Sequence, residues 1–232
     1  MDYPCFRIRN GLENCRARIL AHNAADIAFL GRCAGEIDGW AREVEELLAK
    51  RFPAATLRYT HAFGDRCGVL EAAARVGRLL APSPVPTLAF LDFTAEDPPG
   101  NVTSRCMERV VRALREADRS MDIVVIHGGD QSVLRAVLHG KASPHIDTLE
   151  AVSEHYGLPS VNFARYAIER RAIDLFDWLA YCPDGEANTP LARALHVRAI
   201  EAFLAVAWAD PAYPGGVLRE HPLPPPLYVP VD

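Results

Sequence analysis

The sequence predicts an α/β protein, a three-layer α/β/α sandwich around a five-stranded parallel sheet. Short runs rich in apolar, β-branched or aromatic residues alternate with amphipathic segments along the 232 residues. Two of these runs are almost continuously apolar, as the central strands of a parallel sheet are. Helical crossovers between strands favour parallel neighbours with helices on both faces. With the strands numbered along the chain, we expect the order 2-1-3-4-5.

The five predicted strands are short and bounded by turn residues. They cover residues 26–31, 56–63, 87–94, 122–129 and 158–164. In sheets of this kind, ligands bind beyond the carboxyl ends of the strands, where the strand order switches direction. Candidate functional residues are therefore expected just after the strands, together with any late loop that reaches this edge.

The predicted helices between the strands show apolar residues at helical spacing. The clearest patterns lie within 40–48, 107–114 and 192–203, where apolar side chains recur every three or four residues. The segment "REHPLPPPLYVPVD" near the C-terminus cannot continue a helix because of its prolines. We expect one domain over 1–215 and an extended arm or linker over 216–232.

Composition excludes several classes of function. The net charge is −5 and no block of Lys and Arg occurs, so a nucleic-acid partner is not expected. No apolar run of membrane-spanning length is present, and the first residues lack the apolar core of a signal peptide. The six cysteines form no C-x-x-C pair, and neither a metal site nor a cofactor motif is indicated. We expect a reduced, cytoplasmic protein.

Several separated blocks resemble the SGNH (GDSL-type) hydrolases, in a branch associated with de-acylation of carbohydrates. These blocks include "IAFLGRCAGEIDGW", "LDFTAED", "EHYGLPSVN" and "PDGEANTPLARALHVRAIEAFL". The likeness extends from about residue 9 to about residue 225, in register with the predicted strands and helices. It implies the flavodoxin-like SGNH fold and an esterase-type site.

The resemblance also implies that the catalytic residues have changed. Cys33 stands where the family has its nucleophilic serine, and Arg32 replaces a glycine. Glu96 replaces the asparagine that donates to the oxyanion, and Ala187 replaces the catalytic histidine. At other matched positions, Ala62 stands at the oxyanion-hole glycine, Asp97 is retained and Asp184 is the aspartate that orients the histidine.

Two interpretations of Cys33 remain open at this stage. A nearby helix N-terminus and Arg32 would favour a reactive thiolate, but a buried cysteine also behaves as a small apolar residue. Glu96 is either a carboxylate paired with Arg32 or a general acid or base. In an oxyanion hole an ionised Glu96 would repel the developing charge.

The remaining candidates are weaker. Asp184 either belongs to the altered site or stabilises the turn of "PDG". His61 and His127, at the ends of predicted strands, could supply a base to Cys33 or serve structural roles. We expect Arg32, His61, Ala62, Asp97 and His127 to line any ligand site.

Two functions follow as hypotheses. The first is a degenerate SGNH-type protein that binds an acyl or carbohydrate-type ligand, or pairs with an active paralogue or with itself. The second is an enzyme with rebuilt chemistry, such as acyl transfer, lactone formation or dehydration. It would use Cys33 as nucleophile or Glu96 and Asp184 as an acid/base pair.

Overall fold

A six-stranded sheet forms the centre of the protein, seen in a computed structural model. The structure describes residues 5–34, 39–64, 67–79, 84–93, 97–129, 131–141, 143–169, 178–183, 185, 187, 189–209 and 218–227. The strand order is β1-β6-β5-β4-β2-β3. The strands are β1 (Phe6–Arg7), β2 (Ala24–Gly31), β3 (Thr56–Phe63), β4 (Leu88–Asp92), β5 (Asp122–His127) and β6 (Ser160–Asn162).

The prediction of a purely parallel, five-stranded sheet is wrong at one edge. Strands β2 to β6 pair in parallel, with β2 between β3 and β4. The additional strand β1 pairs antiparallel with β6, so the predicted five-strand order does not describe the whole sheet. A two-residue strand is too short to show the period-2 pattern on which a sequence prediction depends.

Helices cover both faces of the sheet. They are α1 (Glu13–His22), α2 (Trp40–Arg51), α3 (Val69–Leu79), α4 (Asn101–Ala117), α5 (Gln131–Leu138), α6 (Pro144–His155), α7 (Phe163–Glu169), α8 (Trp178–Tyr181) and α9 (Pro190–Ala207). One core lies between the sheet and α1, α2 and α9, and we call this side the α2/α9 face. The other lies under α3, α4 and α6, and we call it the α4/α6 face.

Strand β4 shows how the sheet serves both cores. Leu88 and Phe90 belong to the core of the α2/α9 face, and Ala89 and Leu91 to that of the α4/α6 face. Successive side chains of a strand point to opposite faces, and all four of these residues are fully buried. A strand with two buried faces has no polar alternation, which is why its sequence is continuously apolar.

Residues 218–227 form neither helix nor strand, and they lie against the amino end of the sheet. The ring of His221 is 2.8 Å from the carboxylate of buried Asp122, and the backbone N–H of Arg219 donates to Asn14 at 2.8 Å. Further along, the ring of His155 bonds to the carbonyl of Pro225 at 2.9 Å. Since prolines remove backbone donors, side chains of the domain hold much of this arm. In the described part of the chain, no helix is long and apolar enough to cross a membrane.

Candidate functional site at the carboxyl edge of the sheet

A glycine turn ends β2 and leads to Cys33. Gly31 has φ +109°, and a Cβ there would collide with the backbone carbonyl of Asp92. Glycine is therefore required for the close approach of β2 and β4 at this point. A short 3₁₀ turn over Arg32–Ala34 follows. The Cys33 side chain is fully buried and belongs to the same core cluster as Phe29 and Trp40.

Arg32 extends into the interior beside this turn. Its guanidinium lies 3.5 Å from a carboxylate oxygen of Asp92, the last residue of β4. Asp92 is completely buried, and its other oxygen accepts a hydrogen bond from the indole N–H of Trp40 at 3.3 Å. A buried carboxylate requires such a partner, since desolvation of an unpaired charge is costly. The Arg32 side chain thus occupies space at the centre of the sheet edge.

Two glycines after β5 leave room for side chains at this edge. A Cβ on Gly128 would overlap the guanidinium of Arg32, and one on Gly129 would overlap the hydroxyl of Tyr181. The Tyr181 hydroxyl is also 2.9 Å from Nε2 of His196 in α9. The glycines of "HGGD" therefore admit the side chains of Arg32 and Tyr181 at this edge, and Tyr181 in turn contacts His196.

His196 is held in its neutral form. Its ring stacks on Phe163 with centroids 4.1 Å apart, and the side chain is buried. Burial, and secondarily the positive charge of Arg32, lowers the pKa of His196 well below its usual range. A second charge beside Arg32 is thereby avoided.

The remaining SGNH-matched positions lie in different settings. Ala62 lies in β3 beside Leu30 and packs partly buried against the core of the α4/α6 face. The carboxylate of Asp97 accepts a hydrogen bond from the backbone N–H of Val69 in the first turn of α3, a capping role. Glu96 and Asp184 lie outside the described residues. Ala187 is buried in a cluster that includes Tyr181.

The two candidate histidines lie on opposite faces of the sheet. His61 stacks on Phe29 at 5.2 Å, on the α2/α9 face, and its ring bonds to the Glu45 carboxylate of α2. Ile126 belongs to the core of that same face, so the next residue, His127, points to the α4/α6 face. The structure therefore does not bring His61 and His127 together.

His127 belongs to a buried ion cluster around Glu150 of α6. The Nε2 atom of His127 lies 2.6 Å from one oxygen of Glu150. The other oxygen accepts from Arg9 at 2.5 Å and lies 3.2 Å from Arg7. Burial raises the pKa of the Glu150 carboxyl, but the hydrogen bonds and the charge of His127 outweigh it and hold the pKa far below the usual range. Glu150 is thus a carboxylate.

A cavity of about 260 Å³ opens beside this cluster. It is lined by β1, by the carboxyl ends of β5 and β6, and by residues of α5, α6, α7 and the α5–α6 connection. His127 is the one ligand-binding candidate from the sequence that lines it. Among the described residues, no group of His, Cys, Asp and Glu has the arrangement of a metal site.

Sequence reasoning missed Asp92, Tyr181 and His196. For Asp92 the sequence does contain a signal, because a charged residue at the end of an apolar strand must find a buried partner. His196 lies within the predicted C-terminal helix, and the sequence cannot show that its ring meets the hydroxyl of Tyr181. Nothing in the local sequence distinguishes Tyr181 from an ordinary core tyrosine.

Comparison with solved structures identifies the fold. The chain is similar to a two-domain esterase, CEX, active on acetylated mannans, with a TM-score of 0.73 and 20% identity over 94% of this chain and 59% of that one. This chain and that esterase share one α/β fold. A variant of the acetyl xylan esterase Axe2 from Geobacillus stearothermophilus also matches, with a TM-score of 0.56, 14% identity, and 78% of this chain and 94% of that one covered. The structure of TesA matches with a TM-score of 0.58, 13% identity, and 78% of this chain and 99% of that one covered.

This chain therefore spans about 59% of the length of the CEX esterase. No family model matches the sequence, and no curated protein matches it. At these identities the similarity establishes the fold alone, and chemistry has to be argued from the residues at the site.

Proposed function

We propose that this chain is a non-hydrolytic protein of the SGNH fold that acts by binding an acyl or carbohydrate-type ligand or an active partner. The observation that carries the proposal is the turn after β2. It holds a fully buried Cys33, next to Arg32 and its buried partner Asp92. Reactive cysteines are partly exposed and have a base or a cation at the sulfur. Cys33 instead belongs to an apolar core.

The sequence matches support the same proposal. Ala187 cannot act as the base that a serine or cysteine nucleophile needs. An ionised Glu96 about 4 Å from an oxyanion would raise the barrier by about 4 kcal/mol at an effective dielectric constant near 20. That corresponds to roughly three powers of ten in rate. The ligand class rests on the acetylated mannans and acetyl xylan that the similar esterases act on.

Ester hydrolysis tests this proposal directly. We expect turnover of 4-nitrophenyl acetate and of acetylated mannan oligosaccharides to equal that of the Cys33→Ala variant. In the folded protein, iodoacetamide should modify the partly exposed Cys5 while Cys33 stays unmodified, and in denaturant both should react. Robust turnover that disappears in Cys33→Ala would refute the proposal.

A second candidate is an enzyme with rebuilt acyl-transfer chemistry. The carboxylate of Glu45 holds the imidazole of His61 on the strand next to β2, and a carboxylate that orients a histidine is the arrangement of a general base. This candidate predicts that an acyl thioester probe labels Cys33. Labelling should be lost in both Cys33→Ala and His61→Gln. If His61→Gln leaves labelling unchanged, the Glu45–His61 pair serves only packing between β3 and α2.

A further inference from the structure

The cavity beside β1 and β6 lies apart from the Cys33 turn. Strands β4 and β5 separate β2 from β6 in the sheet, which at about 4.8 Å per strand places the two regions roughly 14 Å apart. The His127 side chain at the cavity also points to the opposite face from Phe29 and the Cys33 core. With about 260 Å³ of space, the cavity is slightly smaller than the ~300–1,000 Å³ of pockets for drug-sized ligands. It suits a small metabolite.

Three cationic side chains line this cavity, and they are Arg7, Lys141 and Arg165. Two carboxylates face them. Glu150 accepts from Arg9 and lies 3.2 Å from Arg7, and Glu169 bonds to Arg165, so Arg7 and Arg165 already have carboxylate partners. Asp147 is the other acidic residue of the lining. One ammonium beside one further carboxylate favours a ligand with a single negative charge.

Lys141 is the cation most available to a ligand. The chain contains two lysines, Lys50 and Lys141. Lys50 lies on α2 and is 3.8 Å from Glu46, whereas Lys141 makes no ion pair within the part of the chain that the structure describes. Gly140 precedes Lys141 with φ +64°, a conformation that turns the chain at the end of α5. A single ammonium that is not neutralised by the protein is suited to receive an anionic group.

Neutral polar groups complete the lining. The hydroxyl of Ser143 lies at the N-cap of α6 without making a capping hydrogen bond. The side-chain oxygen of Asn162 accepts from the backbone N–H of Arg165 at 2.9 Å, which leaves the amide NH₂ of Asn162 as a donor. Asp147 can accept a hydrogen bond from a ligand hydroxyl, and its charge disfavours a ligand with several negative charges. Phe6, Val137 and Ile146 supply the apolar part of the wall.

We propose that this cavity is a binding site for a small hydroxylated monocarboxylate, a hydroxy acid or sugar acid. The carboxylate lies against Lys141, and the hydroxyl groups bond to Asp147, Ser143 and Asn162. The site goes beyond the proposed loss of hydrolysis and does not depend on it, since no residue of the Cys33 turn takes part.

Isothermal titration calorimetry with the full chain tests the site. The probes are glycolate, gluconate and galacturonate, with galactose as the uncharged counterpart of galacturonate and inorganic phosphate as a second anion. We expect at least one of the carboxylates to bind, and neither galactose nor phosphate to bind comparably. Lys141→Ala should weaken binding roughly tenfold, as expected for the loss of one charge-assisted hydrogen bond. Lys141→Arg should retain most of the affinity.

Lys50→Ala is the matched control, because it removes the other lysine without touching the cavity. It should bind as the unmodified chain does. Three outcomes would each overturn the proposal: no heat with any of the three carboxylates, binding that Lys141→Ala leaves unchanged, or equal weakening by Lys50→Ala. Tighter binding of phosphate than of every carboxylate would overturn the ligand class. Because none of these readouts involves ester cleavage, they stand or fall separately from the test of hydrolysis.

Discussion

The centre and the outer end of the sheet's carboxyl edge each contain a buried carboxylate paired with an arginine. At the centre the arginine fills the space, whereas at the outer end a cavity remains. At the centre, buried Asp92 faces the guanidinium of Arg32. At the outer end, buried Glu150 faces Arg9 and His127. At the centre, Gly128 lets the arginine reach inward and occupy space. At the outer end, the ion cluster forms part of the wall of a cavity of about 260 Å³.

A buried ion pair at a strand end therefore does not by itself mark a functional site. A pair that occupies space, as Arg32 and Asp92 do, replaces a pocket. A pair that forms part of the wall of a pocket, as Glu150 and its partners do, leaves space in front of it for a ligand. The distinction rests on which residues are small, since Gly128 and Gly129 admit the side chains of Arg32 and Tyr181 at the centre.

The largest effect is expected from Glu150→Gln at the outer end. The substitution keeps the shape of the side chain but leaves Arg9 and His127 without a buried carboxylate. Breaking one partner of a buried pair costs about 3–5 kcal/mol, and urea denaturation should show a loss of this size in the free energy of unfolding. Glu154 also pairs with Arg9 but is 71% exposed on its side chain. Glu154→Gln should therefore cost at most about 1 kcal/mol. Equal effects of the two variants would show that Glu150 is not the centre of the cluster.

A smaller loss is expected from Gly31→Ala at the centre. The added methyl group would meet the carbonyl of Asp92, and φ +109° is unfavourable for alanine. Strain and overpacking together should lower the free energy of unfolding by about 2–3 kcal/mol. Gly77 lies on the exposed side of α3 with no atom near an added Cβ. Gly77→Ala should stabilise the protein by up to about 1 kcal/mol. Unchanged stability in Gly31→Ala would mean that β2 and β4 separate easily at this turn.

The smallest expected effect is a pH dependence from His196. Its pKa is lowered in the folded state by burial and by Arg32, so below about pH 6.5 the unfolded chain binds a proton that the folded chain does not. The contribution to stability is present above that pH and falls as the pH decreases, by up to about 1.4 kcal/mol per pH unit. In the His196→Gln variant this part of the change in unfolding free energy with pH should be absent. Urea denaturation between about pH 7 and about pH 5 measures it, because this range includes and extends below the usual histidine pKa.

The control for this prediction is His139→Gln, which removes an exposed histidine at the end of α5 and leaves the core intact. If the slope of His196→Gln equals that of the unmodified chain, His196 takes up a proton in the folded state. Arg32 would then be farther from the ring than the packing of α9 indicates.

The class of fold and the positions of the main strands could be predicted from local patterns in the sequence. Continuously apolar β4 and β5 need burial on both faces, and helical periodicity assigns α2, α4 and α9, because these patterns are local. The same locality explains the failure at β1, whose two residues are defined only by pairing with β6. Strand β3 has its predicted bounds, 56–63, and β2 ends at its predicted last residue, Gly31. Glycine and polar residues mark the ends of both segments.

How the candidate residues meet depends on tertiary packing. Cys33 and Arg32 are neighbours in the chain, but the burial of one and the pairing of the other with Asp92 depend on the register between β2 and β4. His61 and His127 lie near the carboxyl ends of two parallel strands, yet the pleat sends them to opposite faces. The cavity joins Arg7, Lys141 and Arg165 from distant parts of the chain. No local sequence pattern predicts that these side chains line one cavity, because the cavity results from the packing of β1, α5 and α7 around the end of the sheet.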